Sequence, residues 1–250
     1  MDYGLIIVLG LVIGSFLNVC IHRIPREESI AFPPSHCTNC NHKLSYLDLV
    51  PVISYIFLRG KCRYCGEKIS IRYPLIECLN GIFYLLIYLK FGITLIAVKY
   101  CIFVSFLIVI SMIDFDTQYV FTSTTILSGI IGIVFILTQY FMHENGVLNL
   151  ILGGLIGGGI IGLIVFLTKG MGEGDIEIAV VCGLFLGTKA ILLGLFLAII
   201  LGGIIGIIIV LLKLKKLKEK MAFGPFIAVG SIISMFYSTE ILRIYFELLT

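Results

Sequence analysis

Charged residues are scarce in this sequence. Asp, Glu, Lys and Arg make up 13% of its 250 residues, about half of the share that is usual in a soluble domain. This composition excludes intrinsically disordered, collagen-like and coiled-coil proteins. The formal net charge of +3 is also too small to indicate a nucleic-acid-binding protein. Since 59% of the residues are hydrophobic and the mean hydropathy is +1.12, the sequence predicts an all-α protein that crosses a membrane several times.

The features of a cleaved signal peptide are missing from the first apolar stretch, residues 4–20. The stretch is preceded by the acidic residue Asp2 and by no basic residue, and the nearest basic residues follow it. It also lacks a cleavage site between small residues. We therefore expect residues 4–20 to be a retained membrane anchor.

Apolar stretches of the length needed to cross a bilayer recur along the chain. A transmembrane helix needs about 20 apolar residues, and such stretches lie at residues 4–20, 73–89, 93–113, 123–142 and 147–168. Residues 176–212 form one longer apolar segment that is interrupted only at Thr188 and Lys189. As a single helix this segment would be about 55 Å long, nearly twice the thickness of the hydrocarbon core. It is either one overlong helix or two shorter crossings.

The distribution of basic residues decides between these alternatives. Basic residues crowd the polar loop after the first span, which the positive-inside rule places in the cytoplasm; they are Arg23, Arg26, Lys43, Arg59, Lys61, Arg63, Lys68 and Arg72. The basic run at residues 213–220 should lie on the same side, which requires an even number of crossings within residues 176–212. We therefore expect a short crossing, a turn at Thr188-Lys189 and a second crossing. Counted with a further span in the apolar sequence after this run, the whole chain then has about eight transmembrane helices, with its N-terminus outside.

Four cysteines of the cytoplasmic loop form two CxxC pairs, Cys37 with Cys40 and Cys62 with Cys65. Each pair can direct two thiolates at one ion, so this spacing is typical of a tetrahedral zinc site with four cysteine ligands. Two disulfides or a redox-active pair are the alternatives, but a reducing cytoplasm disfavours disulfides and no thioredoxin-like pattern surrounds either pair. We expect a closed, structural zinc site between the first and second transmembrane helices.

Two acidic residues lie beside membrane spans, where ionisable groups are costly and indicate function. Asp114 ends the third span, and Asp175 follows a glycine-rich turn at the start of the short crossing. Both should lie at the cytoplasmic face, where a pair of carboxylates could supply the acid and the base that peptide hydrolysis needs. Alternatively, Asp175 is only a helix N-cap, and Asp114 and Asp116 are a solvated interfacial pair.

Several further motifs occur in the order found in a known protein family. They are Gly-Ser-Phe-Leu-Asn-Val at residues 14–19, Arg-Ile-Pro at 23–25, Pro-Pro-Ser-His-Cys at 33–37, the second CxxC pair, Arg-Tyr-Pro-Leu-Ile-Glu at 72–77, Ile-Asp at 113–114, Met-Gly-Glu-Gly-Asp at 171–175 and Phe-Gly-Pro-Phe at 223–226. Over nearly its full length the chain therefore resembles the type IV prepilin peptidases, which are GxGD-type intramembrane aspartic proteases.

This resemblance implies an activity and assigns roles to residues. Asp114 and Asp175 correspond to the catalytic aspartates, with Asp116 the weaker candidate. The family removes a short basic leader from prepilins or pseudopilins after a glycine at the cytoplasmic membrane face. Many members then methylate the new N-terminus with S-adenosylmethionine, an activity with which Glu77 is associated. Since the chain has no Rossmann-like glycine fingerprint, the methyl donor is implied by the resemblance alone.

The resemblance also implies a location and a division of the chain. We expect a multi-pass protein of the cytoplasmic (inner) membrane of a prokaryote. Its parts would be a first transmembrane helix at residues 1–22, a zinc-binding loop domain at 23–72 and a protease core at 73–250.

Two positions depart from the family's pattern. After the first aspartate the family usually carries Ile-Pro-Asp, whereas this chain has Val-Phe-Thr at residues 120–122. Two residues after the second aspartate the family commonly carries lysine, and here Glu177 occupies that place. Because both catalytic aspartates are present, the departures bear on leader selectivity and on the local environment of Asp175.

Two other functions compete with the protease. Intramembrane acids and glycine-rich spans also occur in transporters and channels, which the cysteine loop could regulate. However, transporter sites usually form near the midplane of the bilayer, and both acids are expected at one face. The glycines of the later spans are explained more simply by close helix packing. A methyltransferase without protease activity is the other alternative, against which the intact Asp114 and Asp175 argue.

Overall fold

The computed structural model describes residues 3–143, 146–168, 170–212 and 221–249. Apart from two short 3-10 segments, regular structure in these ranges consists of α-helices: α1 (Tyr3–Arg23), α2 (Ile53–Phe57), α3 (Arg72–Phe91), α4 (Leu95–Thr117), α5 (Thr122–Phe141), α6 (Val147–Thr168), α7 (Glu173–Leu186), α8 (Thr188–Leu211) and α9 (Gly224–Leu249). Seven of them are long and apolar enough to cross a membrane. With the shorter apolar helix α7, they confirm the prediction of an all-α protein with about eight membrane helices.

The chain forms two compact units, Met1–Val109 and Ile110–Thr250, whose boundary falls inside α4. Within the first unit, α1 packs along α3; within the second, α6 packs against α7 and α8 against α9. The predicted division at residues 22 and 72 separates parts by role rather than by compactness, and it stays a prediction.

The long apolar segment is broken at Gly187, directly before the predicted turn residues Thr188 and Lys189, which open α8. α7 ends at Leu186 and α8 begins at Thr188. Gly187 between them has φ = +80°, a left-handed conformation that side chains with a Cβ rarely adopt. The amide oxygen of Asn149 on α6 accepts hydrogen bonds from the N–H and the hydroxyl of Thr188. This pairing holds the start of α8 against α6, and α7, with 14 residues, is the predicted short helix.

Glycines bring α6 and α7 into backbone contact. A Cβ at Gly183 would collide with the backbone of Gly153, and a Cβ at Gly157 would lie 2.6 Å from the carbonyl oxygen of Ala179. Small residues at membrane helix interfaces permit this close approach. Helix packing rather than channel lining therefore explains these glycines, as the sequence predicts.

Some predicted features lie outside the described residues. They are the basic run at residues 213–220, the turn residues Glu144 and Asn145, and Lys169 before α7. The membrane side of each loop therefore stays a prediction from the sequence.

Replacing Gly183 with leucine should force α6 and α7 apart. The new side chain would overlap the backbone at Gly153, and overpacking of this kind typically costs about 1–3 kcal/mol. We expect the unfolding temperature of the detergent-solubilised protein to fall. The matched control is Gly159→Leu on α6, because a Cβ at Gly159 meets no atom within 4 Å. Equal unfolding temperatures for the two variants would contradict the packing described here.

Candidate active site and metal centre

The four cysteines of the loop form one cluster. Their Sγ atoms all lie within 4.8 Å of one another, and the Sγ atoms of Cys37 and Cys65 are 3.8 Å apart. A tetrahedral zinc ion with Zn–S bonds of about 2.3 Å would set its thiolates about 3.8 Å apart. The cluster therefore fits a metal site with four thiolate ligands. All eight cysteines of the chain are free thiols, so neither CxxC pair is a disulfide in this structure.

The two CxxC turns are built alike. The N–H of Cys37 donates to the carbonyl oxygen of His42 at 3.0 Å, and the N–H of Cys62 donates to that of Glu67 at 2.8 Å. An isolated β-bridge closes each turn. This repeated geometry presents two pairs of thiols to one point, which explains why the spacing of the cysteines alone predicts the cluster.

The first CxxC turn also favours the thiolate form of Cys37, which is the form that binds metal. The backbone N–H groups of Cys40 and Asn39 are directed at the sulfur of Cys37 and lower the pKa of this thiol to about 7. Since the thiolate is the form that binds metal, the turn prepares Cys37 as a ligand through its backbone.

Asp48 ties the segment between the CxxC turns to the second turn. Its carboxylate accepts hydrogen bonds from Arg63 Nε at 2.6 Å, Ser45 Oγ at 2.6 Å and the Tyr64 hydroxyl at 3.2 Å. Burial raises the pKa of Asp48, but the hydrogen bonds from Ser45 and Arg63 and the charge of Arg63 outweigh it, lowering the pKa to about 2. The carboxylate therefore stabilises the loop above about pH 4, and this contribution is lost as the pH falls toward the folded-state pKa.

Asp114 and Asp175 come together within the second compact unit. Asp114 lies in the last turn of α4 and Asp175 in the first turn of α7. Gly224 lies between these two turns, because a Cβ built there would be 2.6 Å from Asp114 Oδ2 and 3.0 Å from Cδ1 of Ile178, three residues after Asp175. Asp114 and Asp175 are only 4% and 5% exposed, respectively, whereas Asp116 is exposed. The structure thus brings together the two acids that the sequence singles out and leaves Asp116 at the surface.

Backbone N–H groups of two glycines hold the paired carboxylates. The N–H of Gly224 donates to Asp114 Oδ2 at 2.9 Å, and the N–H of Gly172 donates to Asp175 Oδ2 at 2.9 Å. A Cβ at position 224 would lie 2.6 Å from Asp114 Oδ2, so a glycine is needed where α9 begins. The motif at residues 223–226 was part of the resemblance, but nothing in the sequence assigned Gly224 this contact.

Asp175 caps α7 from within its first turn. The N-cap residue is Gly172, whose carbonyl oxygen accepts a hydrogen bond from the N–H of Asp175 at 3.1 Å. The carboxylate of Asp175 reaches back to the N–H of Gly172, as the acid of a capping box does. The N-cap alternative is therefore wrong about the position, although the side chain does satisfy a helix-terminal N–H group.

The two departures from the family pattern lie at one contact, between the segment that opens α5 and the first turns of α7. Glu177 accepts hydrogen bonds from the hydroxyls of Thr122, at 3.3 Å, and Thr125. Gly174 faces Val120 so closely that a Cβ would lie 2.5 Å from Val120 Cβ. These contacts join α7 to the segment that opens α5. Both departures therefore bear on the placement of the turn that carries the second aspartate, a link that the sequence does not reveal.

Glu77 lies in the first compact unit, at the wall of a cavity. It is 7% exposed, and its Oε2 accepts a hydrogen bond from the N–H of Val52 at 2.8 Å. The cavity has a volume of about 780 Å³ and is lined by the loop, α1 and α3. This volume is within the range of about 300–1,000 Å³ found for small-molecule sites.

Comparison with known proteins agrees with the motifs. The model of the bacterial peptidase A24 N-terminal domain matches residues 8–91, and the model of the type IV leader peptidase family matches residues 101–207. A prepilin leader peptidase/N-methyltransferase of Neisseria gonorrhoeae is 33% identical in an alignment 253 residues long. The alignment covers 89% of this chain and 86% of that protein. The chain belongs to the type IV leader peptidase family.

Two further relatives carry the same name. The protein of Myxococcus xanthus is 34% identical over 210 residues, covering 82% of this chain and 62% of that protein. The protein of Bacillus subtilis is 29% identical over 247 residues, covering 98% of each chain. No solved structure matches the chain. The family resemblance that the sequence predicts is thus confirmed, and with it the assignment of the chain as a peptidase.

Gly224→Ala should impair the peptidase by displacing the carboxylate of Asp114. The added Cβ would overlap Asp114 Oδ2, and a displacement of about 1 Å at a catalytic group can cost about 100-fold in rate. Cleavage of a prepilin by the purified protein measures the effect. Gly203→Ala on α8 is the control, because a Cβ there meets no atom within 4 Å. If the Gly224→Ala variant cleaves at the wild-type rate, the contact between Gly224 and Asp114 does not position the aspartate.

Proposed function

We propose that this protein is an intramembrane aspartic endopeptidase that removes the basic leader of type IV prepilin-like proteins after a glycine. One observation carries the proposal: Asp114 and Asp175 are buried together, and each accepts a hydrogen bond from a glycine N–H at a helix start. The name shared by the relatives, prepilin leader peptidase/N-methyltransferase, supplies the substrate class.

The pair supports water-mediated hydrolysis of a peptide bond. In aspartic proteases two adjacent carboxyl groups share one proton. The ionised member takes a proton from water, whose oxygen attacks the scissile carbonyl carbon, while the protonated member donates its proton to the carbonyl oxygen. The tetrahedral intermediate then collapses: the C–N bond breaks, the leaving nitrogen receives a proton from the protonated member, and one hydroxyl of the intermediate returns its proton to the other member as the carbonyl re-forms. Gly224 and Gly172 would keep the two carboxylates oriented throughout.

The position of the pair at helix ends suits a prepilin. Asp114 is near the end of α4 and Asp175 is near the start of α7, so both lie at the edge of an apolar layer rather than at its middle. A prepilin presents a basic leader followed by an apolar helix. Its helix could enter the membrane while the scissile bond stays at the depth of the carboxylates. A transporter site at the bilayer midplane is not favoured by this placement.

We place the catalytic aspartates and the zinc loop at the cytoplasmic face of the inner membrane, with the N-terminus outside. The basic loop between α1 and α3 marks the cytoplasmic side. The chain leaves this side through α3 and returns through α4 to Asp114. It leaves again through α5 and returns through α6 to Asp175. In this scheme residues 1–22 anchor the chain, residues 23–72 form the loop domain, and residues 73–250 form the protease core.

We propose that the same chain methylates the new N-terminus with S-adenosylmethionine. The cavity beside Glu77 is large enough for a small-molecule donor, and it borders the loop that the family associates with this activity. S-adenosylmethionine would supply an electrophilic methyl group and carries positive charge. The carboxylate of Glu77, held by the N–H of Val52, is suited to attract a cationic group of the donor.

Asp114→Asn or Asp175→Asn should abolish leader removal, because the amide can neither take up nor give the proton that hydrolysis requires.

Glu77→Gln should leave leader removal intact and reduce methylation, because it removes the charge at the cavity wall but keeps a hydrogen-bond acceptor for Val52. Mass spectrometry of a prepilin incubated with enzyme and S-adenosylmethionine reports both leader loss and the added methyl group.

Asp116→Asn is the matched control for this experiment, since Asp116 is an exposed aspartate two residues after Asp114. It should cleave and methylate as the wild type does. Full cleavage by Asp114→Asn or Asp175→Asn would refute the catalytic assignment. Unchanged methylation by Glu77→Gln would refute the assignment of Glu77 and leave the peptidase proposal standing.

We further propose that the four-cysteine cluster binds a structural zinc ion. Metal analysis of the purified protein should find about one zinc per chain, and Cys40→Ser should reduce this content, because a closed site needs all four thiolates. Cys78→Ser is the control, since Cys78 lies on α3 outside the cluster. Absence of zinc from the wild-type protein, or full zinc in Cys40→Ser, would contradict the proposal.

A further inference from the structure

One part of the zinc loop exposes large apolar side chains that neither proposed activity uses. It comprises the 3-10 turn Tyr46–Leu49 and the short helix α2, and we call residues 46–57 the apolar segment. Tyr46 is 94% exposed and Phe57 is 83% exposed, and Leu47, Ile53 and Ile56 are also exposed. Large apolar side chains exposed together in one short segment mark an interaction site.

A hydrogen bond fixes the apolar segment beside the membrane helices. The N–H of Val52, between the 3-10 turn and α2, donates to Glu77 Oε2 at 2.8 Å. α3 begins at Arg72, and Glu77 lies five residues later. This is about 7.5 Å along the helix axis, since each residue adds ~1.5 Å. At this height α3 meets α1, because a Cβ at Gly14 would lie 2.8 Å from the Cα of Glu77. The segment is therefore held at the level of two membrane spans and not at a distance from them.

The apolar segment has two different sides. Leu49, Ser54 and Tyr55 line the cavity, whereas the most exposed aromatic side chains, Tyr46 and Phe57, are directed away from the protein. Two exposed basic residues, Arg59 and Lys61, follow the segment directly. Apolar side chains flanked by basic residues are typical of segments that lie in a membrane interface with anionic lipids.

The neighbouring surface supports lipid as the partner. Ile71, the N-cap residue of α3, and Leu75 in the first turn of the helix are exposed, and this helix is long and apolar enough to cross a membrane. Its exposed apolar side chains therefore face lipid. The Val52–Glu77 hydrogen bond holds the apolar segment at the same end of α3, so the segment lies at the membrane depth of these lipid-facing side chains.

We propose that the apolar segment inserts into the headgroup region of the bilayer and binds the loop to the membrane surface. Interfacial segments bury their apolar face by about 5–10 Å at the boundary between headgroups and acyl chains. Tyr46, Ile56 and Phe57 enter the lipid, and Arg59 and Lys61 contact anionic headgroups. Insertion holds the zinc site and the cavity against the membrane. The proposal depends on neither peptidase nor methyltransferase activity.

The absence of tryptophan from the chain provides a direct test. Phe57→Trp and Tyr46→Trp each introduce a single fluorescent reporter at an exposed position of the full-length protein. In vesicles of phosphatidylcholine and phosphatidylglycerol, we expect emission from both reporters to shift to the blue. Lipids brominated close to the headgroup should quench it more strongly than lipids brominated at the end of the acyl chain. Lys43→Trp, at an exposed position of the loop outside the apolar segment, should emit as in water and stay unquenched.

Three results would overturn the proposal. Water-like, unquenched emission from Phe57→Trp and Tyr46→Trp would show that the segment does not enter lipid. A shift that appears only when a prepilin is added would make the surface a docking site for protein. Equal quenching of Lys43→Trp would show that the whole loop lies on the bilayer without a specific inserting segment.

Discussion

A buried carboxylate needs a hydrogen-bond donor, and a membrane helix offers free backbone donors only at its N-terminus. This constraint governs the second compact unit. Asp114 takes its donor from Gly224, the first residue of α9, and Asp175 takes its donor from Gly172, the N-cap of α7. Because both donors are at helix starts, the acidic pair must lie where helices begin and end. The pair is thereby confined to the edge of the apolar layer.

Backbone N–H groups are also the donors that hold polar side chains in the first compact unit. The loop between α1 and α3 is too short to bury a core of its own, and backbone N–H groups organise its polar groups instead. Cys37 is prepared as a thiolate by the N–H groups of its own turn, and Glu77 is held by the N–H of Val52. A metal ion at the four thiols would then join the two CxxC turns, while Asp48 already joins the second turn to the chain between them.

Features encoded by local pattern were predictable from the sequence. Hydropathy located the membrane helices, residue spacing located the cysteine cluster, and charge distribution required the break that the structure places at Gly187. Contacts between distant parts of the chain were not predictable in this way. Gly224 and Asp114 are 110 positions apart, and no local pattern connects them. The pairing of Glu177 with Thr122 and Thr125 likewise depends on α7 meeting α5. The catalytic roles, the division into parts and the membrane orientation stay predictions.

The most direct measurement of the central claim is a distance test between positions 114 and 175. Cysteine is introduced at both positions in a protein whose membrane-helix thiols, Cys20, Cys78, Cys101 and Cys182, are replaced by alanine. A short bifunctional thiol reagent is then applied, and linked peptides are identified by mass spectrometry. If the two side chains meet, peptides containing positions 114 and 175 will be linked within single chains. If each thiol reacts with a monofunctional reagent but no such link forms, the two acids do not share a site and the account is wrong.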